Sequence, residues 1–124
     1  MSLPLPTEGE LAILRVLWER GASSVRDVQQ ALRSAVGYTG VLKLLQLMTA
    51  KGLVRRDESG RAHLYRAAES RAKTEGRLVR SLADRAFGGS TANLVMRALS
   101  DKRATAEELR RIRELLDRDD GRPR

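Results

Sequence analysis

Lys43 and Gln46 stand three residues apart on an apolar-patterned stretch, and Arg55, Arg56, Arg61 and Arg66 surround the turn-forming run Asp57-Glu58-Ser59-Gly60 that follows. Cationic side chains at this density suit phosphate oxygens, because a guanidinium offers a planar fork of donors that keeps its charge. Lys43 can meet guanine acceptors or a phosphate, Gln46 can pair with adenine, and Tyr38 or Thr39 can donate to phosphate at a helix start. Covalent chemistry has far less to work with. The sequence has no cysteine, so thiol nucleophiles, thiolate metal sites and disulfides are all excluded, and His63 is the only histidine. Glu107-Glu108 and Asp119-Asp120 fall at helix ends, where the first pair suits the positive end of the helix dipole and the second joins a polar tail. No glycine-rich run has the spacing of a phosphate loop. The chain is therefore not expected to be an enzyme, and no cofactor or metal is expected.

The 124 residues carry a net charge of +8 with a sequence pI near 10.9. The charge is shared, since residues 1–66 and 67–124 each carry a net +4. Such a balance speaks of partners and not of fold: nucleic acid first, an anionic membrane surface second. Glu107, Glu108, Glu114 and Asp117 dilute the basic face of the last helical stretch, which argues against the membrane. No apolar run approaches the roughly 20 residues that span a bilayer, and the N-terminus lacks the basic and apolar regions of a secretion signal. A cytoplasmic protein without membrane insertion is expected.

The elements that must position these side chains follow from period and punctuation. Thr7-Glu8-Gly9-Glu10 has the capping-box form, and Leu11, Leu14, Val16, Leu17 and Trp18 give the helix behind it an apolar face that ends before Gly21. Ser23 and Ser24 offer caps for a second helix, with Asp27 three residues beyond Ser24, and Gly37 is expected to break it. A third begins near Tyr38 or Thr39, buries Val41, Leu44, Leu45 and Met48, and ends at Lys51-Gly52. Leu53–Arg56 and Arg61–Arg66 are strand-length segments on either side of the turn formers, so a hairpin is predicted. From about Ser70 the pattern is helical again. One helix stops at Gly88-Gly89, Ser90 caps the next, and Thr105 with Glu108 caps the last.

Three helices followed by a two-stranded hairpin are the order of a winged helix-turn-helix, in which the third helix enters the major groove and the wing lies along the phosphates. The expected fold is mainly α with a small β wing: a DNA-binding domain over 1–68, a helical dimerisation region over 69–120, and a disordered tail over 121–124. At about 100° per residue, the third helix turns Thr39, Lys43, Gln46 and Ala50 away from its buried stripe, flanked by Leu42 and Leu47. The candidate DNA-binding set is Tyr38, Thr39, Lys43, Gln46, Arg55, Arg56 and Arg61, with Arg66 beside it. Leu78, Leu82, Phe87, Leu94, Val95, Leu99, Leu109, Ile112, Leu115 and Leu116 exceed what a thin bundle buries against itself, so a second copy is expected to cover them.

The runs "TEGELAILRVLW", "SSVRDVQQAL", "YTGVLKLLQLMTAKGLV" and "GRAHLY", with "FGGSTANLVMRALSDKRATAEELRRIRELL", resemble the penicillinase repressor (BlaI/MecI) family over nearly the whole chain. The resemblance implies a homodimeric transcriptional repressor whose heads bind two half-sites of a palindromic double-stranded DNA operator. It also implies a membrane-bound sensor metalloprotease as a partner that cuts the C-terminal region; the matching stretch is Leu94 to Leu99, and Arg97-Ala98 the candidate bond. The chain departs from the family pattern at Gly40, Lys43 and Leu47, on or near the reading face, and it lacks the clustered cysteines of copper-responsive relatives. A rival reading is a winged helix used only for protein contact, which apolar Leu42 and Leu47 favour.

Overall fold

The computed structural model describes residues 3–33, 36–101 and 104–119. Along them run α1 (Glu8–Arg20), α2 (Val25–Leu32), α3 (Tyr38–Lys51), β1 (Val54–Asp57), β2 (Leu64–Ala67), α4 (Arg71–Ala86), α5 (Thr91–Ser100) and α6 (Ala106–Asp119). The fold is the mainly helical winged helix that the sequence predicts, with one antiparallel hairpin. The tail over 121–124, expected to be disordered, lies outside the described residues. Among the described residues no helix is long and apolar enough to cross a membrane.

Two compact units are formed, Met1–Leu78 and Val79–Arg124. In the first, Ile13, Leu14 and Leu17 of α1 meet Val28 of α2 and Val41, Leu45 and Met48 of α3 in one core that Leu53, Val54 and Tyr65 close from the hairpin. The α1 capping box is present, and its carboxylate has a second task. Glu10 Oε1 accepts from Thr7 N–H at 2.9 Å, while Oε2 accepts from Lys51 Nζ at 2.7 Å, so one side chain joins the start of α1 to the end of α3. Glu10 is only 1% exposed. Burial pushes its carboxyl up, but the hydrogen bonds from Lys51 and Thr7 together with the Lys51 charge outweigh that and hold it below the usual carboxylate range.

Punctuation differs from expectation at two places. The second helix does not run to Gly37: it stops at Leu32, where Arg33 takes the left-handed conformation at φ 52 and returns its N–H to Gln29 O. Gly37 instead caps α3 from an extended conformation, without a side chain to help. The second hairpin strand begins at Leu64 and not at Arg61. Asp57, expected in the turn, is the last residue of β1 and pairs with Leu64; its carboxylate turns the chain by accepting from Ser59 N–H at 2.9 Å, so the link spans residues 58–63 and carries Arg61. Ser23 exchanges two backbone hydrogen bonds with Tyr65, at 2.9 and 2.8 Å, which pins the wing to the turn between α1 and α2.

The first turns of α4 belong to the first unit because of a half-buried cluster. Arg77 donates to Glu69 Oε1 through Nε and Nη2, at 3.1 and 2.7 Å, and to Leu3 O at 2.9 Å. Thr74 donates to the same carboxylate, and Trp18 Nε1 donates to Glu69 O at 3.0 Å. The second unit is capped as expected. Gly88 and Gly89 take φ of 58 and 86, Ser90 Oγ accepts from Asn93 N–H, and Thr105 with Glu108 forms a capping box.

Candidate nucleic-acid interface

Helix α3 has one face sealed and one face bare. Val41, Leu45 and Met48 are fully buried. Tyr38, Thr39, Lys43, Gln46, Leu47 and Ala50 are exposed. Leu44, expected in the buried stripe, is half-buried at its edge. The Lys51–Glu10 pair, the left-handed Gly52 at φ 84 and the packing of Leu3 against Gly52 fix the far end of the helix. A helix held this way presents its polar face without having to be ordered by a ligand.

The wing sorts its arginines by face. Arg55 lies directly opposite Arg66 in the ladder, and both are exposed. Residues that face each other across an antiparallel pair share a side of the sheet, so two like charges meet there. Asp57, on the same side, is held below its ordinary value by Ser59, with Arg66 adding a weaker pull. Arg56 lies opposite Tyr65 on the other side and forms an ion pair with Glu58. Tyr65 and Glu58 hold its guanidinium above its ordinary value. Arg61 is exposed on the link between the strands.

A groove of about 410 Å³ between the starts of α2 and α3 and the wing link brings Tyr38 and Arg61 together, with Leu42, His63 and Arg26 on its walls. Arg26 was missed in the sequence. No sequence signal singles it out, because only the folded groove brings the start of α2 beside Tyr38 and Arg61. Two amides at that helix start are occupied: Ser24 Oγ accepts from Asp27 N–H at 3.1 Å, and Asp27 accepts from Ser24 N–H at 3.0 Å. The backbone hydrogen bond from Ser24 holds the Asp27 carboxyl below its usual range.

The second unit offers a different surface. Among its described residues Ala83 is the one buried side chain. Val79, Leu82, Val95, Met96, Leu115 and Leu116 are exposed, while Phe87, Leu94, Leu99, Leu109 and Ile112 are half-buried. Leu78, half-buried, closes the first unit. Arg97 and Ala98 are exposed in the last turn of α5. No group of His, Asp or Glu that could hold a metal is found among the described residues.

A family model described as penicillinase repressor matches residues 6–118. Among solved structures the chain is similar to the solution structure of Bacillus licheniformis BlaI, a monomeric form in complex with the blaP half-operator. The identity is 19% and the TM-score 0.51, over 57% of this chain and 89% of that one. At that identity the likeness is one of fold. A comparison with curated proteins gave no match.

Proposed function

Since this chain belongs to the penicillinase repressor family, we propose that it is a homodimeric transcriptional repressor that binds a palindromic DNA operator. Helix α3 enters the major groove, with Thr39, Lys43 and Gln46 toward base edges and Tyr38 toward phosphate. The wing carries the phosphate contacts, Arg55, Arg56, Arg61 and Arg66, with Arg26 at the start of α2 beside them. The observation that supports this reading best is the two-sided α3, sealed along Val41, Leu45 and Met48 and bare along Thr39, Lys43 and Gln46, with the Arg55–Arg66 pair on the adjoining hairpin. The exposed apolar residues of the second unit support a second copy as the partner.

Release follows from cutting the chain between Arg97 and Ala98 by a membrane-bound metalloprotease, which removes α6 and separates the two copies. Both residues are exposed, but they lie within α5, so a protease must first unwind that turn.

The test is selection of duplexes from a genomic library, followed by affinity measured against salt. Neutralising about four phosphates per protomer gives a log-log slope near −7 for the dimer. The exposed Tyr38 and Leu47 favour the second reading, a module for protein contact. That reading predicts no selected duplex and binding that is indifferent to salt.

A further inference from the structure

Within the described residues of the first unit, the large apolar side chains that remain exposed are Val36, Tyr38 and Leu47, at 42, 46 and 47%. All three lie on α3 or just ahead of it. Gly40 explains where Val36 sits. A Cβ built on Gly40 would come within 2.7 Å of Val36 Cγ1, closer than real Cβ contacts, so the valine occupies the surface that a side chain at 40 would cover. Gly40, Lys43 and Leu47 share one strip of the helix, because residues three and seven apart fall on one side. The strip therefore begins with a methyl at Val36, continues with the Lys43 ammonium and ends with Leu47.

Resting on the repressor reading, we propose that Val36 is a specificity-determining residue that packs against the C5 methyl of a thymine in each half-site. Gly40 is the positioning residue that makes room for it. In the major groove the thymine C5 methyl is the one alkyl group on the base edges, among hydrogen-bond donors and acceptors. An exposed valine brought against those polar edges strips their water without replacing it, whereas against the methyl it buries apolar surface on both sides. Charge elsewhere on the same head favours a duplex over an apolar protein surface: Arg26 and Arg61 line the groove beside Tyr38, and the Arg55–Arg66 pair lies on the wing.

Burying one methyl group is worth about fourfold in affinity. The experiment takes a duplex selected by the full-length protein and replaces each thymine in turn by deoxyuridine, which removes the methyl and leaves the hydrogen-bonding edge intact. Wild type is expected to lose about fourfold at one thymine per half-site, and about 15-fold when both symmetric thymines are replaced. Val36→Ala should bind the thymine and uracil forms equally. Gly40→Ala, whose methyl forces Val36 aside while alanine favours the helix, should lose most of the discrimination at an unchanged or higher melting temperature. Indifference of wild type to every replacement, or a penalty that Val36→Ala keeps in full, overturns the proposal and leaves the repressor reading intact. Failure to select any duplex overturns both. The scan on wild type needs no variant, so its outcome holds even if one fails to fold.

Discussion

Replacing Arg55 by alanine separates what the wing does for the fold from what it does for a ligand. Arg55 and Arg66 face each other across the ladder with both side chains exposed. The Asp57 carboxylate on their side of the hairpin is engaged by Ser59 N–H at 2.9 Å. Opposed like charges weaken a hairpin, and a phosphate set between them removes the repulsion. Arg55→Ala should therefore leave the melting temperature of the free protein unchanged or slightly raised. For DNA the effect has the other sign. Each neutralised phosphate contributes about 0.9 to the salt slope, and a dimer loses two contacts, so a slope near −7 should fall to about −5. At about 0.15 M salt each contact carries roughly 0.7 of a decade, which makes the loss about 30-fold for the dimer. Fluorescence anisotropy with a labelled selected duplex and a scrambled one, over about 0.05 to 0.3 M salt, reads both quantities. The loss should be equal on the two duplexes, because phosphate contacts carry no sequence information. A slope that stays near −7, or a loss confined to the selected duplex, would refute the assignment of the wing to phosphate.

Glu58→Gln should raise affinity for any duplex by about threefold, because it frees Arg56 from its ion pair and removes a carboxylate facing the polyanion; unchanged affinity in the same titration would take Arg56 out of the contact set. Arg77→Ala should cost about 2–3 kcal/mol, since it leaves the Glu69 carboxylate, 13% exposed, without its cation and with Thr74 as the remaining donor, and lowers the melting temperature by roughly 10–20 °C. The Arg77 hydrogen bonds hold the Glu69 carboxyl below its ordinary value, so their contribution is complete above the unfolded value of about 4.3 and is lost as pH falls through the lowered native one; thermal melts should show the gap between the two proteins narrowing as the solution is acidified past the unfolded value, and a constant gap would contradict this. Leu116→Glu, at a residue 63% exposed, should give monomers with unchanged helical content in sedimentation and circular dichroism, and a wild type that is already monomeric at micromolar concentration would remove the dimer from the proposal.

The elements were legible where local chemistry decides them. Thr7 with Glu10 and Thr105 with Glu108 are capping boxes in the sequence and in the structure, Ser24 of the two serines offered caps α2, and Lys51-Gly52 ends α3 through a left-handed glycine. Arg33 was not legible as a helix end, because a non-glycine residue at φ 52 leaves no compositional trace. The start of β2 was misplaced because Arg61-Ala62-His63 has strand-like length and follows glycine, whereas the ladder is fixed by the pairing of Asp57 with Leu64 and by the Ser23–Tyr65 bridge, both long-range. The bare face of α3 follows from period alone. The groove that joins Arg26 to Tyr38 and Arg61 does not, since it depends on how three separate segments meet.

On the proposed reading, one head recognises little by itself. A good bidentate contact discriminates by about 1–3 kcal/mol, and α3 offers two long polar side chains, Lys43 and Gln46, beside the apolar strip. Positive charge cannot make up the difference, because the arginines of the wing hold any duplex equally. Two heads on one duplex add their discrimination energies, so the preference of a single head for its half-site is squared. The exposed apolar residues of the second unit then belong to the reading apparatus as much as Gln46 does. Scission between Arg97 and Ala98 leaves each head folded, since the Glu10–Lys51 and Glu69–Arg77 pairs both lie within residues up to Leu78. It returns the protein to the regime of one head, where charge still binds DNA and the preference for the operator falls to its square root. Release from the operator thus requires no change in α3 at all.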